Sequence, residues 1–300
     1  MSGTCSARAD LVNTEWDFCP STPAAILFAV LFALTTFVHL AQGILYKKLY
    51  SWVIVCSGLA QTLNFIFRVI SIKNPTNLGD YTAWFVLVLA SYILSRRQKR
   101  VAPLFTNAFV YMVMGRMIWN YIPDAKIYRI TAWRFSTYFV ILDVIALIIQ
   151  IAGASSAAGG GSSKANHHQQ VLIAIHVYMG GVAFQQFFIL VFCLFAIQFH
   201  RTILQQVRQG VEGASSALPL LYAIYAVLLL ITLRIAFRLC EYAQGFQSAI
   251  PRHEVYEYCL DSAPMLVALL ILNVLHPGRI MPGAESDLPS RKDRKAEGIC

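Results

Sequence analysis

Charge is scarce in this sequence. Only 13% of its 300 residues are Asp, Glu, Lys or Arg, while 57% are hydrophobic; a soluble domain carries about twice that charge. A water-soluble globular chain is therefore excluded. Also missing are the familiar catalytic signatures: no phosphate-cradling glycine loop, no His-Glu-x-x-His and no Gly-x-Ser-x-Gly occurs. No Asn-x-Ser/Thr acceptor is present, since Asn74 is followed by Pro75. Met1–Ser21 lacks the basic start and short apolar stretch of a cleavable signal peptide. The seven cysteines have no metal-ligand spacing, and His167 and His168 sit in a Gly/Ser stretch that makes poor ligands. Cys5 and Cys19 are either a disulfide or two free thiols; Cys56, Cys193, Cys240 and Cys259 lie in apolar runs and are expected to pack. No metal, no cofactor and no enzymatic activity are expected.

What is present is a series of long apolar runs. A bilayer span needs roughly 20 mainly apolar residues. Spans are expected at Pro23–Tyr46, Ser51–Ile72, Val101–Ile122, Phe135–Ala154, Gln170–Phe199, Ala217–Cys240 and Val255–Leu275. A further apolar run, Thr82–Leu94, reaches only about 20 Å at 1.5 Å per residue, too short for a core of about 30 Å. It reads as a re-entrant or interfacial piece. The expected fold is thus an all-α polytopic membrane protein of seven helices, with one extra short apolar segment before the third.

Loop cations orient the chain. Of the 24 Lys and Arg, Arg68, Arg116, Arg234 and Arg238 fall inside spans. With seven spans and the N-terminus outside, 12 of the others lie on the inner side and 8 on the outer; an eighth crossing at Thr82–Leu94 reverses that tally. The positive-inside rule therefore favours N-out, C-in. The net charge of +9 is read the same way, as inner loops and not as a nucleic-acid partner. The expected organisation is an outer tail over 1–22, a seven-helix domain over 23–276 and a cytosolic tail over 277–300. Gly153–His168 reads as a flexible Gly/Ser loop, and Pro282–Cys300 as a short charged disordered tail.

Against this apolar background the ionisable residues within spans stand out, since each costs about 3 kcal/mol at the bilayer centre. Arg234, Arg238 and Glu241 are spaced four and three apart, on one helical face. Glu254, Glu257 and Asp261 repeat that spacing at the start of the last span, and Pro264 permits a bend beside Asp261. Glu257 can equally lie at headgroup level. Gln61 and Arg68 are seven apart, as are Asp143 and Gln150; Gln185 and Gln186 read as interhelical hydrogen-bonders, and His39 as an interior histidine. By depth, Arg68, Gln150, His176, Arg234, Arg238, Glu241, Glu257 and Asp261 belong to the outer half, with Asp143 deeper. The pattern implies a polar network open toward the outer leaflet with a carboxylate at its floor. The competing reading is a structural ion-pair network that locks helices together.

Six stretches carry a resemblance. "HLAQG" (His39–Gly43), "GRMI" (Gly115–Ile118), "DVIALIIQIAG" (Asp143–Gly153), "RIAFRLCEYAQG" (Arg234–Gly245), "HEVYEYCLDSAPM" (His253–Met265) and "NVLHPGR" (Asn273–Arg279) occur in the order seen in the fungal lipid-translocating exporter family, the Rta-like aminocholesterol-resistance proteins. The resemblance covers roughly Pro20–Met281. It implies a multi-pass protein of the fungal plasma membrane that exports or translocates lipid-like amphiphiles, sphingoid long-chain bases or toxic aminosterols among them. The family's characteristic polar positions fall on Arg68, Asp143, Gln150, Arg234, Arg238, Glu241, Glu254 and Asp261. Two departures are visible. Gln61 stands where the family usually has a glutamate, and Ser91–Val101 splits what is elsewhere one span. A seven-helix amphiphile sensor, or a regulator of lipid asymmetry without transport of its own, is the alternative to a translocator.

Overall fold

The computed structural model describes residues 19–74, 102–158, 164–243, 253–283 and 286–289. The expected re-entrant run Thr82–Leu94, the added segment Ser91–Val101 and Cys5 lie outside the described residues. Cys19 is disulfide-bonded.

Seven helical rods make up nearly all of the described chain. They are α1 (Thr22–Leu45), α2 (Ser51–Lys73), α3 (Ala102–Tyr121), α4 (Ala132–Ala158), α5 (Lys164–Arg208), α6 (Ala217–Ala243) and a composite last rod. That last rod starts as a single turn, α7 (Glu254–Tyr256), widens into a π-helical stretch over Glu257–Ser262 and continues as α8 (Ala263–Val274). A short α9 (Pro277–Ile280) follows. Between α3 and α4 a two-residue hairpin pairs β1 (Lys126–Ile127) with β2 (Ile130–Thr131).

The local signals are ordinary ones. Ser21 caps α1, its Oγ accepting from the Ala24 N–H, with Pro23 in the first turn. His276 caps α9 through Nδ1, which accepts the Gly278 N–H at 3.1 Å. At the π stretch the Ala263 N–H reaches back five residues to Tyr258 O. Pro264 has no N–H to continue an α ladder here, so the wider turn is sited where the ladder is already interrupted.

Apart from α3, each rod contains a stretch long and apolar enough to cross a membrane, six in all among the described residues. Their outer faces show Phe37, Leu45, Leu229 and Val274 at 69–75% exposure, while Arg68, Asp143 and His39 are at 0–1%. Apolar out and polar in is the arrangement lipid demands, since a patch of this extent facing water would aggregate. The 20-residue α3 is packed at the centre; Phe109, Val110, Val113, Met114, Met117 and Ile118 are fully buried.

Small residues set the closest approaches. Gly153 and Gly181 join α4 to α5: a Cβ on Gly153 would stand 2.5 Å from Tyr178 N and 2.8 Å from Ala174 O. One on Gly181 would stand 2.9 Å from Ala146 O. Such close backbone contact is the membrane substitute for hydrophobic driving force.

Three expectations are corrected. The fifth span is longer than Gln170–Phe199: α5 runs 45 residues. The Gly/Ser linker is partly helical, because α4 extends to Ala158 and α5 starts at Lys164. Extending an existing helix needs no new nucleus, so Ala and Ser suffice there. The C-terminal tail is also not wholly free, for Ser286 is buried and Asp287–Pro289 are partly so.

Candidate functional site

Two ion-paired groups occupy the end of the bundle where α6 finishes and α7 begins. In the first, Arg68 of α2 reaches Glu254 at 2.9 Å and Glu257 at 2.5 Å, while its guanidinium lies 5.2 Å from the Tyr258 ring centre. Tyr258 is itself stacked on Phe28 and near-parallel to Phe65, so Arg68 is walled by aromatics. Glu254 also accepts the Ser21 N–H at 2.7 Å, tying the entry of α1 to the last rod. In the second group Asp261 holds both arginines of α6. Arg234 Nε donates to its Oδ1 at 2.6 Å; Arg238 donates at 3.1 Å to Oδ1 and at 2.9 Å to Oδ2. Arg238 also donates to Glu241 at 3.1 Å. These charge-assisted bonds neutralise carboxylates buried to 7–8% exposure.

The expected single face of Glu254, Glu257 and Asp261 is therefore divided. The π stretch puts an extra residue into the turn, which offsets the residues beyond it by up to about 100°. Glu254 and Glu257 meet α2; Asp261 meets α6. Glu257 is the partner of a fully buried arginine.

Asp143 stands apart from both groups. At 1% exposure on α4, it accepts at Oδ2 from Asn107 Nδ2 (2.9 Å) and Tyr111 Oη (3.2 Å) of α3. Its Oδ1 lacks a well-formed hydrogen bond, and Gln185 of α5 lies alongside. Gln185 in turn accepts from Gln150 at 3.2 Å, which carries the polar line about two turns further along α4. No Lys or Arg pairs with Asp143 among the described residues. Asn107 and Tyr111 were not singled out from sequence; being neutral, they give no hydropathy signal, and only their spacing of four on one face of α3 hints at them.

The remaining polar residues are interhelical. Gln186 meets Thr232 at 3.4 Å, His39 Nε2 meets Leu269 O at 3.1 Å, and Gln42 donates to Asn273 O at 2.8 Å. His176 is exposed. No cluster of three or more His, Cys, Asp or Glu able to hold a metal occurs among the described residues.

Comparison with known proteins adds three likenesses and one family. The family described as RTA1 like protein matches residues 54–284. The chain is 38% identical over 285 residues to the probable lipid transporter atnI of Emericella nidulans, covering 91% of this chain and 70% of that one. It is 22% identical over 302 residues to the sphingoid long-chain base transporter RSB1 of Saccharomyces cerevisiae, covering 90% and 75%. Protoporphyrin uptake protein 1 of the same yeast is 26% identical over 296 residues, covering 86% and 90%. No solved structure matches.

Proposed function

The chain belongs to the RTA1-like family, and from that premise we propose that it translocates an amine-bearing amphiphile across a membrane, with Asp143 as the group that meets the amine. Membership agrees with the resemblance read from the six sequence stretches. Two of the named relatives are a probable lipid transporter and a sphingoid long-chain base transporter, and a sphingoid base pairs an amine with an alkyl chain. On this reading the protein is not an enzyme and needs no cofactor. Seven crossings, with the N-terminus outside and 277–300 in the cytosol, make α3 the third span, and the plasma membrane is the site of action.

The observation that carries the proposal is the contrast among buried carboxylates. Asp261, Glu241, Glu254 and Glu257 each face an arginine, so an incoming amine gains little from them. Asp143 faces only neutral donors and keeps one oxygen without a well-formed bond. A cation brought to it forms a charge-assisted bond where dielectric screening is weak. Gln150 and Gln185 lead from it toward the ion-paired end and supply neutral hydrogen-bonding groups for hydroxyls beside the amine. The alkyl chain stays in lipid while the head moves along this line. Arg68, Arg234, Arg238, Glu241, Glu254 and Asp261 then hold the helices that frame the route.

Reconstituted Asp143→Asn is expected to move a labelled long-chain base at least about tenfold more slowly than wild type, the worth of one charge-assisted contact. Expression and the movement of a neutral lipid should be unchanged. Equal long-chain-base flux in mutant and wild type removes Asp143 from the mechanism. A wild-type protein that binds the base without flux supports the sensor reading instead.

A further inference from the structure

The end of the bundle opposite the ion-paired groups holds a second polar cluster that the translocation reading does not use. Lys48, in the turn between α1 and α2, is 3% exposed. A lysine this buried needs acceptors, and among the described residues they come from the C-terminal tail. Its Nζ donates to Gly283 O and to Ser286 Oγ, both at 2.6 Å, and lies 3.4 Å from Asp287 Oδ2. Arg116 of α3 approaches the same carboxylate, with Nε 3.5 Å from Asp287 Oδ1. Asn120, one turn on, donates to Ser286 O at 3.0 Å. Tyr50 lies under Arg116, its ring centre 3.9 Å from the guanidinium carbon, and burial pushes its hydroxyl above the ordinary tyrosine range. The ring is a neutral platform for the cation.

Two features identify this cluster as more than a tether. The fit of the tail is loose: Arg116 Nε and Asp287 Oδ1 are both buried and face one another at 3.5 Å, without a well-formed hydrogen bond. The Asp287 side chain remains 38% exposed. The carboxylate pairs with both cations only at long range, 3.4 Å to Lys48 Nζ and 3.5 Å to Arg116 Nε. The second feature is depth. Trp52 is exposed at the start of α2, and Trp119 and Trp133 pair edge to face at the α3–α4 corner, 6.4 Å between ring centres. Tryptophan collects at headgroup level, so the cluster lies where lipid phosphates lie.

We propose that Lys48, Arg116 and Asn120 form a phosphate site for the headgroup of an anionic lipid, and that the Ser286–Asp287 segment occupies it as an internal stand-in. A tetrahedral phosphate offers three acceptor oxygens to the ammonium, the guanidinium and the amide, where the carboxylate serves two of them imperfectly. Lipid and tail compete for the same donors. Binding of the headgroup therefore releases the tail from the α1–α2 turn and from α3, and the local concentration of anionic lipid sets how firmly this end of the bundle is tied. The site is remote from Asp143 and is tested without measuring flux.

The test uses the full chain in nanodiscs. Hydrogen exchange of the amides at residues 286–288 is compared in phosphatidylcholine alone, with phosphatidic acid added, and with inorganic phosphate added to neutral discs. Phosphatidic acid should speed exchange about tenfold, the equivalent of one charge-assisted contact. Asp287→Asn should lower the phosphatidic acid needed for the same rise, because the competitor is weakened. Native mass spectrometry should show retained phosphatidic acid on Asp287→Asn but not on Asp287→Asn/Lys48→Gln. Exchange that ignores phosphatidic acid in both wild type and Asp287→Asn overturns the site. A response to inorganic phosphate equal to that of the lipid overturns its assignment to a headgroup.

Discussion

Asp261→Ala is expected to cost about 3–5 kcal/mol of stability, the usual penalty for stripping one partner from a buried ion pair. Asp261 accepts from two arginines on α6 through three bonds of 2.6, 2.9 and 3.1 Å. Without it, Arg238 keeps its bond to Glu241, while Arg234 loses the one carboxylate it is ion-paired with among the described residues. A guanidinium cannot discard its charge, so the desolvation penalty stays while the attraction is lost. Thermal unfolding of the purified protein in nanodiscs should show a clear drop in Tm or loss of the folded peak. Asp261→Glu should recover part of it. Replacing the set together (Arg234→Met, Arg238→Met, Asp261→Leu with Glu241→Gln) should recover most of it, because apolar side chains carry no desolvation debt. A Tm for Asp261→Ala within a degree or so of wild type would show that the pairing holds nothing together.

The second large effect is steric. Gly153→Val should disrupt the α4–α5 seam by about 3 kcal/mol or more, at or beyond the top of the overpacking range. The three atoms nearest the new Cβ, all within 3 Å, are backbone of α5 at Ala174 and Tyr178, so no rotamer change relieves the clash. The helices must part, and the Gln150–Gln185 bond that crosses this seam parts with them. Gly180→Val is the internal control: nothing lies within 4 Å of its added Cβ, and it should leave Tm near wild type. Equal behaviour of the two variants would contradict the packing described for α4 and α5.

Much of this architecture was legible because lipid imposes simple rules. Long apolar runs became helices, α5 being the one that far outran its expected bounds, and an arginine or carboxylate within one turned inward. What the sequence could not disclose is which carboxylate meets which arginine. Spacing placed Glu254, Glu257 and Asp261 together, and only the π stretch, a backbone choice invisible to periodicity, sends them to different helices. Lys48 shows the same limit. Counted from sequence as one more loop cation, it is buried by a tail more than 230 residues away. Local composition marks Pro282–Cys300 as polar and does not say that part of it has a seat. The partners of Asp143 were hidden for the opposite reason, since Asn107 and Tyr111 look like any residues of a packed span.

The widened turn over Glu257–Ser262 has a mechanical corollary. A π turn is an α turn with one residue too many, and such a surplus can migrate along a rod or be squeezed out at its end. While it stays where it is, Glu254 and Glu257 at its entry are keyed to α2 and Asp261 near its exit to α6. Shorten the rod by that single residue and about 100° of rotation separates the two keys from their locks. The last rod thus works as a two-bladed shim: it fits two neighbours at once only because its backbone is out of step with itself.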